Sequence, residues 1–190
     1  MESAVAGEII LITGGARSGK STYAEMLAKE YGSEVLYVAT AIPFDDEMKN
    51  RIKKHREQRP ANWETLEAYK NMDILLENKC RNKKAVLLDC ITVMITNIMF
   101  EECPDFDKMV QDDMIAVEEA VNIQMERLLA AARSSGIPFI LVTNEIGMGI
   151  VPDNKSARLF RDIQGRVNQK LASAAKDVYL CVSGIPVKIK

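Results

Sequence analysis

A chain of 190 residues, 47% hydrophobic and 27% charged with both signs spread along it, has material for one buried core, which argues against disorder and against a membrane-spanning run. A formal net charge of −2 leaves no basic field of the kind a duplex-binding protein carries, so nucleic acid is not an expected partner. The start of the chain holds Glu2 and no cationic stretch, and Cys80, Cys90, Cys103 and Cys181 form no C-x-x-C pair; the expectation is no leader or anchor, reduced structural thiols and a cytoplasmic location.

The first predicted strand spans 8–13, around the apolar run Ile9, Ile10, Leu11 and Ile12. Directly behind it Gly14, Gly15, Ala16, Arg17, Ser18, Gly19, Lys20 and Ser21 satisfy G-x-x-x-x-G-K-[ST]. Glycines let such a loop curl so that backbone N–H groups point at an anion. Lys20 can then reach the β/γ-phosphates, and the Ser21 hydroxyl can hold Mg²⁺. An amphipathic helix over 21–31 follows and adds its positive end, so strand, loop and helix together predict a nucleotide phosphate site.

Further apolar runs predict strands over 35–40, 85–89, 139–144 and 178–183, separated by helix-period segments over 45–58, 110–133 and 157–175. The tail 186–190 reads either as a short final strand or as a surface extension. No repeat or composition break divides the chain, so residues 1–190 are expected to form one domain. Strands alternating with helices behind such a loop predict an α/β fold of the P-loop NTPase class, RecA-like, with a mostly parallel sheet covered by helices on both faces. Thr40, Asp89, Thr143, Asn144, Glu145 and Ser183 then cluster at the C-terminal strand ends, where open α/β sheets bind ligands.

Asp89 ends the apolar strand Val86, Leu87, Leu88, the placement that holds Mg²⁺ or its waters beside a P-loop hydroxyl, although an aspartate there can also simply cap a turn. His55, the single histidine, lies in a charged segment with Arg51 and Arg59 four residues to either side, on one face if the segment is helical. Two guanidiniums would keep a ring nitrogen unprotonated and could hold phosphate oxygens, which suits a nucleophile. A solvated basic helix face explains the same spacing, and the spacing alone favours it. Trp63, the single tryptophan, is a packing anchor or a platform for a planar ligand. The loop from Thr143 to Pro152 carries Gly147 and Gly149 and can close over a substrate or be an ordinary turn. Arg158 and Arg161 begin the next helix, as ligand contacts or as surface charges.

Taken together, these blocks resemble the bifunctional adenosylcobinamide kinase/adenosylcobinamide-phosphate guanylyltransferase family of cobalamin biosynthesis. The resemblance runs nearly end to end. It rests on the P-loop, on Asp46, Glu47, Met48, Arg51, Ile52 and His55, on Arg59, Pro60, Trp63, Thr65 and Glu67, on 142–152, and on 160–162, 165–169 and 182–185. It implies that His55 accepts GMP, and that Thr40, Ala41, Ile42, Arg56, Glu57, Gln58, Arg59, Glu67 and Asp89 join the P-loop in binding GTP. Ile42 can offer a ligand only its backbone. The reaction it implies has two parts: phosphorylation of adenosylcobinamide by ATP or GTP with Mg²⁺, then transfer of GMP to adenosylcobinamide phosphate through the histidine. It also implies a homotrimer and a mobile histidine segment. Asp89 and Glu145 are the carboxylate candidates for a base in the kinase step. A plain P-loop kinase and a nucleotide-gated interaction protein are the other readings of the same residues.

Overall fold

Parallel strands buried on both faces read as continuous apolar runs, and β1 (Ile9–Gly14) and β2 (Val35–Ala39) are buried at every position. The computed structural model describes residues 7–42, 49, 56 and 59–190. Its sheet has seven strands, adding β3 (Glu64–Glu67), β4 (Ala85–Asp89), β5 (Phe139–Val142), β6 (Asp177–Val182) and β7 (Ile185–Lys188), in the order β3-β2-β4-β5-β1-β6-β7. All neighbours pair in parallel except β6 and β7, which form an antiparallel hairpin at one edge. The mostly parallel α/β sheet expected from the sequence is therefore present, and the tail forms the last strand.

Alternation along the strands divides the core in two. Ile10, Ile12, Val35, Tyr37, Ala85, Leu87, Ile140 and Val142 face α1 (Lys20–Glu30), which contributes Ala24 and Ala28. Ile9, Leu11, Leu36, Val38, Val86, Leu88, Phe139 and Leu141 face the opposite layer. That layer holds α2 (Met72–Lys79), α3 (Ile91–Glu102), α4 (Gln111–Ser134) and α5 (Lys155–Ala174). Helices thus cover both faces. The predicted helix over 45–58 falls almost entirely outside the described residues.

Several boundaries differ from expectation for local reasons. β5 ends at Val142; the Thr143 N–H still donates to the Ile12 carbonyl at 2.9 Å, while its buried side chain bonds to α5. β3 and α2 were not expected: β3 reads Glu-Thr-Leu-Glu with no apolar run, and α2 is eight residues long. α3 was also missed. It buries residues around most of its circumference, from Ile91, Thr92, Met94 and Ile95 to Asn97, Ile98 and Met99, so no single apolar stripe betrays its period. The four cysteines are free thiols, as expected.

α5 starts on an Asn154 N-cap whose side chain accepts from the Ala157 N–H at 3.1 Å. Asn154→Ala removes that acceptor and should lower stability by about 1 kcal/mol. Urea unfolding should show a lower midpoint with an unchanged slope.

Candidate nucleotide site

The loop from Gly14 to Ser21 leaves β1 and enters α1. Its backbone is shaped by close packing. A Cβ on Gly14 would lie 2.5 Å from the Ser18 hydroxyl and 2.6 Å from the Cys181 carbonyl oxygen. Gly19 has φ +90°, and a Cβ there would lie 2.9 Å from the Gly184 Cα, so the β6–β7 turn presses directly on the loop. The Gly184 N–H also donates to the Ser18 carbonyl at 2.9 Å. Arg17, at φ 58°, is left-handed as well, and such reversals of hand let successive N–H groups converge on an anion. α1 has neither a side-chain cap at Gly19 nor an acidic residue in its first turn, which leaves its positive end available. The Lys20 ammonium folds back onto the Gly15 carbonyl at 3.1 Å, a contact a phosphate can replace.

Two buried hydroxyls, Thr13 Oγ1 and Ser18 Oγ, have no hydrogen-bond partner among the described residues. Buried polar atoms of this kind call for a ligand or water, so the loop fits a phosphate group. Ser21 and Asp89 offer a hydroxyl and a carboxylate, the hard oxygen donors Mg²⁺ takes. Because Mg²⁺ keeps waters and phosphate oxygens, two protein oxygens are enough to fit it. Among the described residues there is no cluster of three or more His, Cys, Asp or Glu side chains that could hold a metal by themselves.

β5 lies between β1 and β4, so the residues after it stand between the P-loop and Asp89. A buried network fixes them. Gln164 Nε2 donates to Thr143 Oγ1 at 2.9 Å and to Asn168 Oδ1 at 2.8 Å, and the Thr143 hydroxyl donates to the same Asn168 oxygen. Asn168 Nδ2 donates to the Asn144 carbonyl, and the Asn144 N–H donates to Thr92 Oγ1. The Glu145 N–H then donates to the Gly14 carbonyl at 3.1 Å, tying this loop to the P-loop, while its carboxylate accepts from the Gly147 N–H.

On the far side, Asp89 accepts from the Tyr37 hydroxyl at 3.2 Å. Burial first, and the Asp89 carboxylate second, hold that phenol far above its ordinary range, so it remains a donor. The Arg59 guanidinium lies over the Tyr37 ring, 3.6 Å from its centre, and Trp63 packs beside it with ring centres 6.4 Å apart. Trp63 is buried, so it is a packing anchor of the core and not an open platform for a ligand. Burial also pushes the Cys90 thiol up to about 11, with Asp89 adding to the effect, so it stays a thiol at neutral pH.

Thr40 is buried, with its side chain bonded to the Cys90 backbone at both N and O, and its carbonyl accepting from Asn97. It fixes the rim from which Ala41 and Ile42 lead away. Those three residues and Glu67 line a recess of about 360 Å³ at the ends of β2 and β3. Arg56 reaches across to Glu67 at 3.9 Å, with both side chains exposed. His55, Glu57 and Gln58 lie outside the described residues. Arg158 and Arg161 do not join the site: Arg158 donates to the carbonyls of Pro152 and Asp153, and Arg161 pairs with Asp162.

A sequence model described as cobinamide kinase/cobinamide phosphate guanyltransferase matches residues 10–189. The chain belongs to this family. Its members are bifunctional transferases, kinase and guanylyltransferase in one, and with the P-loop fold this makes the site a nucleotide site. The family includes relatives close to this chain. The bifunctional adenosylcobalamin biosynthesis protein CobU of Escherichia coli K12 is 50% identical over 182 residues, covering 96% of this chain and 99% of that one. CobP of Pseudomonas aeruginosa PAO1 is 36% identical over 180 residues, covering 95% and 96%. Among solved structures, the RadB recombinase aligns with a TM-score of 0.48 at 19% identity, covering 94% of this chain and 76% of that one. A KaiC-like protein from Pyrococcus horikoshii OT3 aligns at 0.45 and 16%, covering 92% and 71%. The family assignment rests on the first three matches; the structural likenesses are loose.

Tyr37, Thr92 and Gln164 were not marked by the sequence. Gln164 and Asn168 are four apart on the buried stripe of α5, so polar residues at apolar positions were the available signal. Gly19→Ala places a side chain at φ +90° against the β6–β7 turn, strain of about 1–3 kcal/mol. It should weaken GTP binding in a calorimetric titration by about five- to 150-fold, whereas Gly149→Ala, in open space, should not.

Proposed function

We propose that this chain phosphorylates adenosylcobinamide and then transfers GMP onto the product, using the P-loop for both reactions. The observation that carries the reading is the shared rim: the P-loop, the loop after β5, Asp89 and the β2–β3 recess all stand at the C-terminal strand ends of one sheet.

In the kinase step the loop N–H groups and Lys20 hold the β- and γ-phosphates of ATP or GTP, and Ser21 and Asp89 hold Mg²⁺, which offsets charge on the transferring group. A hydroxyl of adenosylcobinamide attacks the γ-phosphorus in line. The bond to the β–γ bridging oxygen breaks, a nucleoside diphosphate leaves, and the hydroxyl proton passes to a carboxylate, for which Asp89 and Glu145 are the candidates. The Glu145 backbone is tied to Gly14 of the P-loop, which keeps this residue beside the loop, while in this structure its carboxylate accepts from Gly147.

In the second reaction a ring nitrogen of His55 attacks the α-phosphorus of GTP, pyrophosphate leaves from the P-loop, and GMP remains on the imidazole. An oxygen of adenosylcobinamide phosphate then attacks that phosphorus, the P–N bond breaks, and His55 is restored. Glu67, Ala41 and Ile42 line a recess large enough for part of a nucleotide. Arg56 and Arg59, together with Glu57 and Gln58, flank His55 in sequence, where the arginines meet phosphate charge.

The active unit in this reading is a homotrimer working in the cytoplasm without nucleic acid. The net charge of −2 agrees with this, and no helix among the described residues is long and apolar enough to cross a membrane.

Incubation with GTP labelled at the α-phosphate should leave an acid-labile, base-stable adduct on the protein that His55→Ala cannot form. Active enzyme with no adduct overturns transfer through His55 and leaves a kinase alone.

A further inference from the structure

We propose that Tyr37 is a positioning residue shared by the two reactions, a strut that holds Arg59 on its ring and Asp89 on its hydroxyl. Nothing in the motif pattern marks it: Tyr37 lies mid-strand in β2 and is 2% exposed. Its surroundings are specific. The Arg59 guanidinium stands 3.6 Å above the ring, Trp63 flanks it, and the hydroxyl donates to Asp89 Oδ2 at 3.2 Å.

Each contact reaches one reaction. Arg59 is four residues beyond His55 in sequence, so what fixes Arg59 fixes the chain next to that residue. Asp89 is the carboxylate at the end of β4. A phenol on one carboxylate oxygen fixes the rotamer of that carboxylate. The Tyr37 backbone is held between β3 and β4, where it pairs with Thr65 and Leu87, and its ring stands on the α1 face of the sheet beside Trp63. Arg59 and Asp89 are therefore referred to one rigid side chain. A buried guanidinium edge fits the same picture: among the described residues Arg59 Nε has no hydrogen-bond partner, and the guanidinium rests on the ring face.

The inference rests on the assignment of His55 and Asp89 to the two reactions, and its test is separable from that assignment. Tyr37→Phe keeps the ring and removes the hydroxyl. Arg59→Lys keeps the charge and removes the planar stack. GTP binding is followed by Trp63 emission with and without Mg²⁺, and GMP loading by the α-labelled adduct. A strut requires crossed effects. Tyr37→Phe should slow GMP loading even at GTP and Mg²⁺ concentrations that saturate both wild type and variant, although its lost hydroxyl is on the Asp89 side. Arg59→Lys should shrink the factor by which Mg²⁺ tightens GTP although it does not touch Asp89. Each effect should be about three- to tenfold, the size expected for one ordinary intramolecular hydrogen bond. The double variant should be little worse than the worse single one.

Effects confined to each residue's own end, with the double variant equal to their product, overturn the strut. If the wild type forms no adduct, transfer through His55 fails, and the Mg²⁺ factor in Arg59→Lys still decides whether Tyr37 couples the two ends. If Tyr37→Phe melts early, the same factor decides, because Arg59 is only partly buried and its substitution leaves the core intact.

Discussion

Parallel pairing of β1, β5, β4 and β2 is the constraint from which the site follows. Parallel neighbours must all end on the same side of the sheet, so four chain reversals that are distant in sequence open onto one rim. The P-loop, the Thr143–Glu145 turn, Asp89 and Thr40 are neighbours because of strand order, not because any of them attracts another. Burial of both sheet faces makes this rim the natural outlet for polar groups, since backbone that leaves the ladder must find partners elsewhere.

Those partners are supplied by side chains buried just beneath the rim. Thr40 ties β2 to the backbone after β4, and Asn97 ties Thr40 to α3. Gln164 and Asn168 tie the residues after β5 to α5. Each bond contributes only about 1 kcal/mol net, but an unmade bond at these depths costs about 1–3 kcal/mol, so the arrangement resists displacement. A rim held this firmly can offer the same phosphate cradle to two reactions. In the proposed chemistry the cradle presents a γ-phosphoryl group once and retains a leaving pyrophosphate the next time, and neither task requires it to move.

The legible parts of the sequence were those with a strong local signature. The strand–loop–helix of the P-loop was readable because glycine spacing and apolar patterning agree, and β4 was read to its last residue because four buried positions end in a carboxylate. α3 was hidden because it is apolar nearly all round, and β3 because an edge strand reading Glu-Thr-Leu-Glu has no apolar run and resembles a loop. Tyr37 was hidden for a different reason. Its importance lies in what meets it from Arg59 and Asp89, more than twenty residues away on either count, and no periodicity encodes that meeting. Trp63 shows the converse: its singularity in the composition drew a ligand reading, and its burial makes it part of the wall.

The two contacts made by Arg56 and Arg59 differ in kind. Arg56 and Glu67 are 3.9 Å apart with both side chains mostly in water, an arrangement that contributes little because solvent screens it and two long side chains must be ordered to make it. Arg59 on the Tyr37 ring is a partly desolvated cation over a buried aromatic face, where the attraction is larger and screening is weaker. In the proposed chemistry, nucleotide charge arriving at the rim draws Arg56 away from Glu67 at small cost, freeing the Glu67 carboxylate beside the recess. Arg59 keeps its place on Tyr37. The contact that yields and the contact that holds lie three residues apart, on the side of His55 that leads back into the sheet.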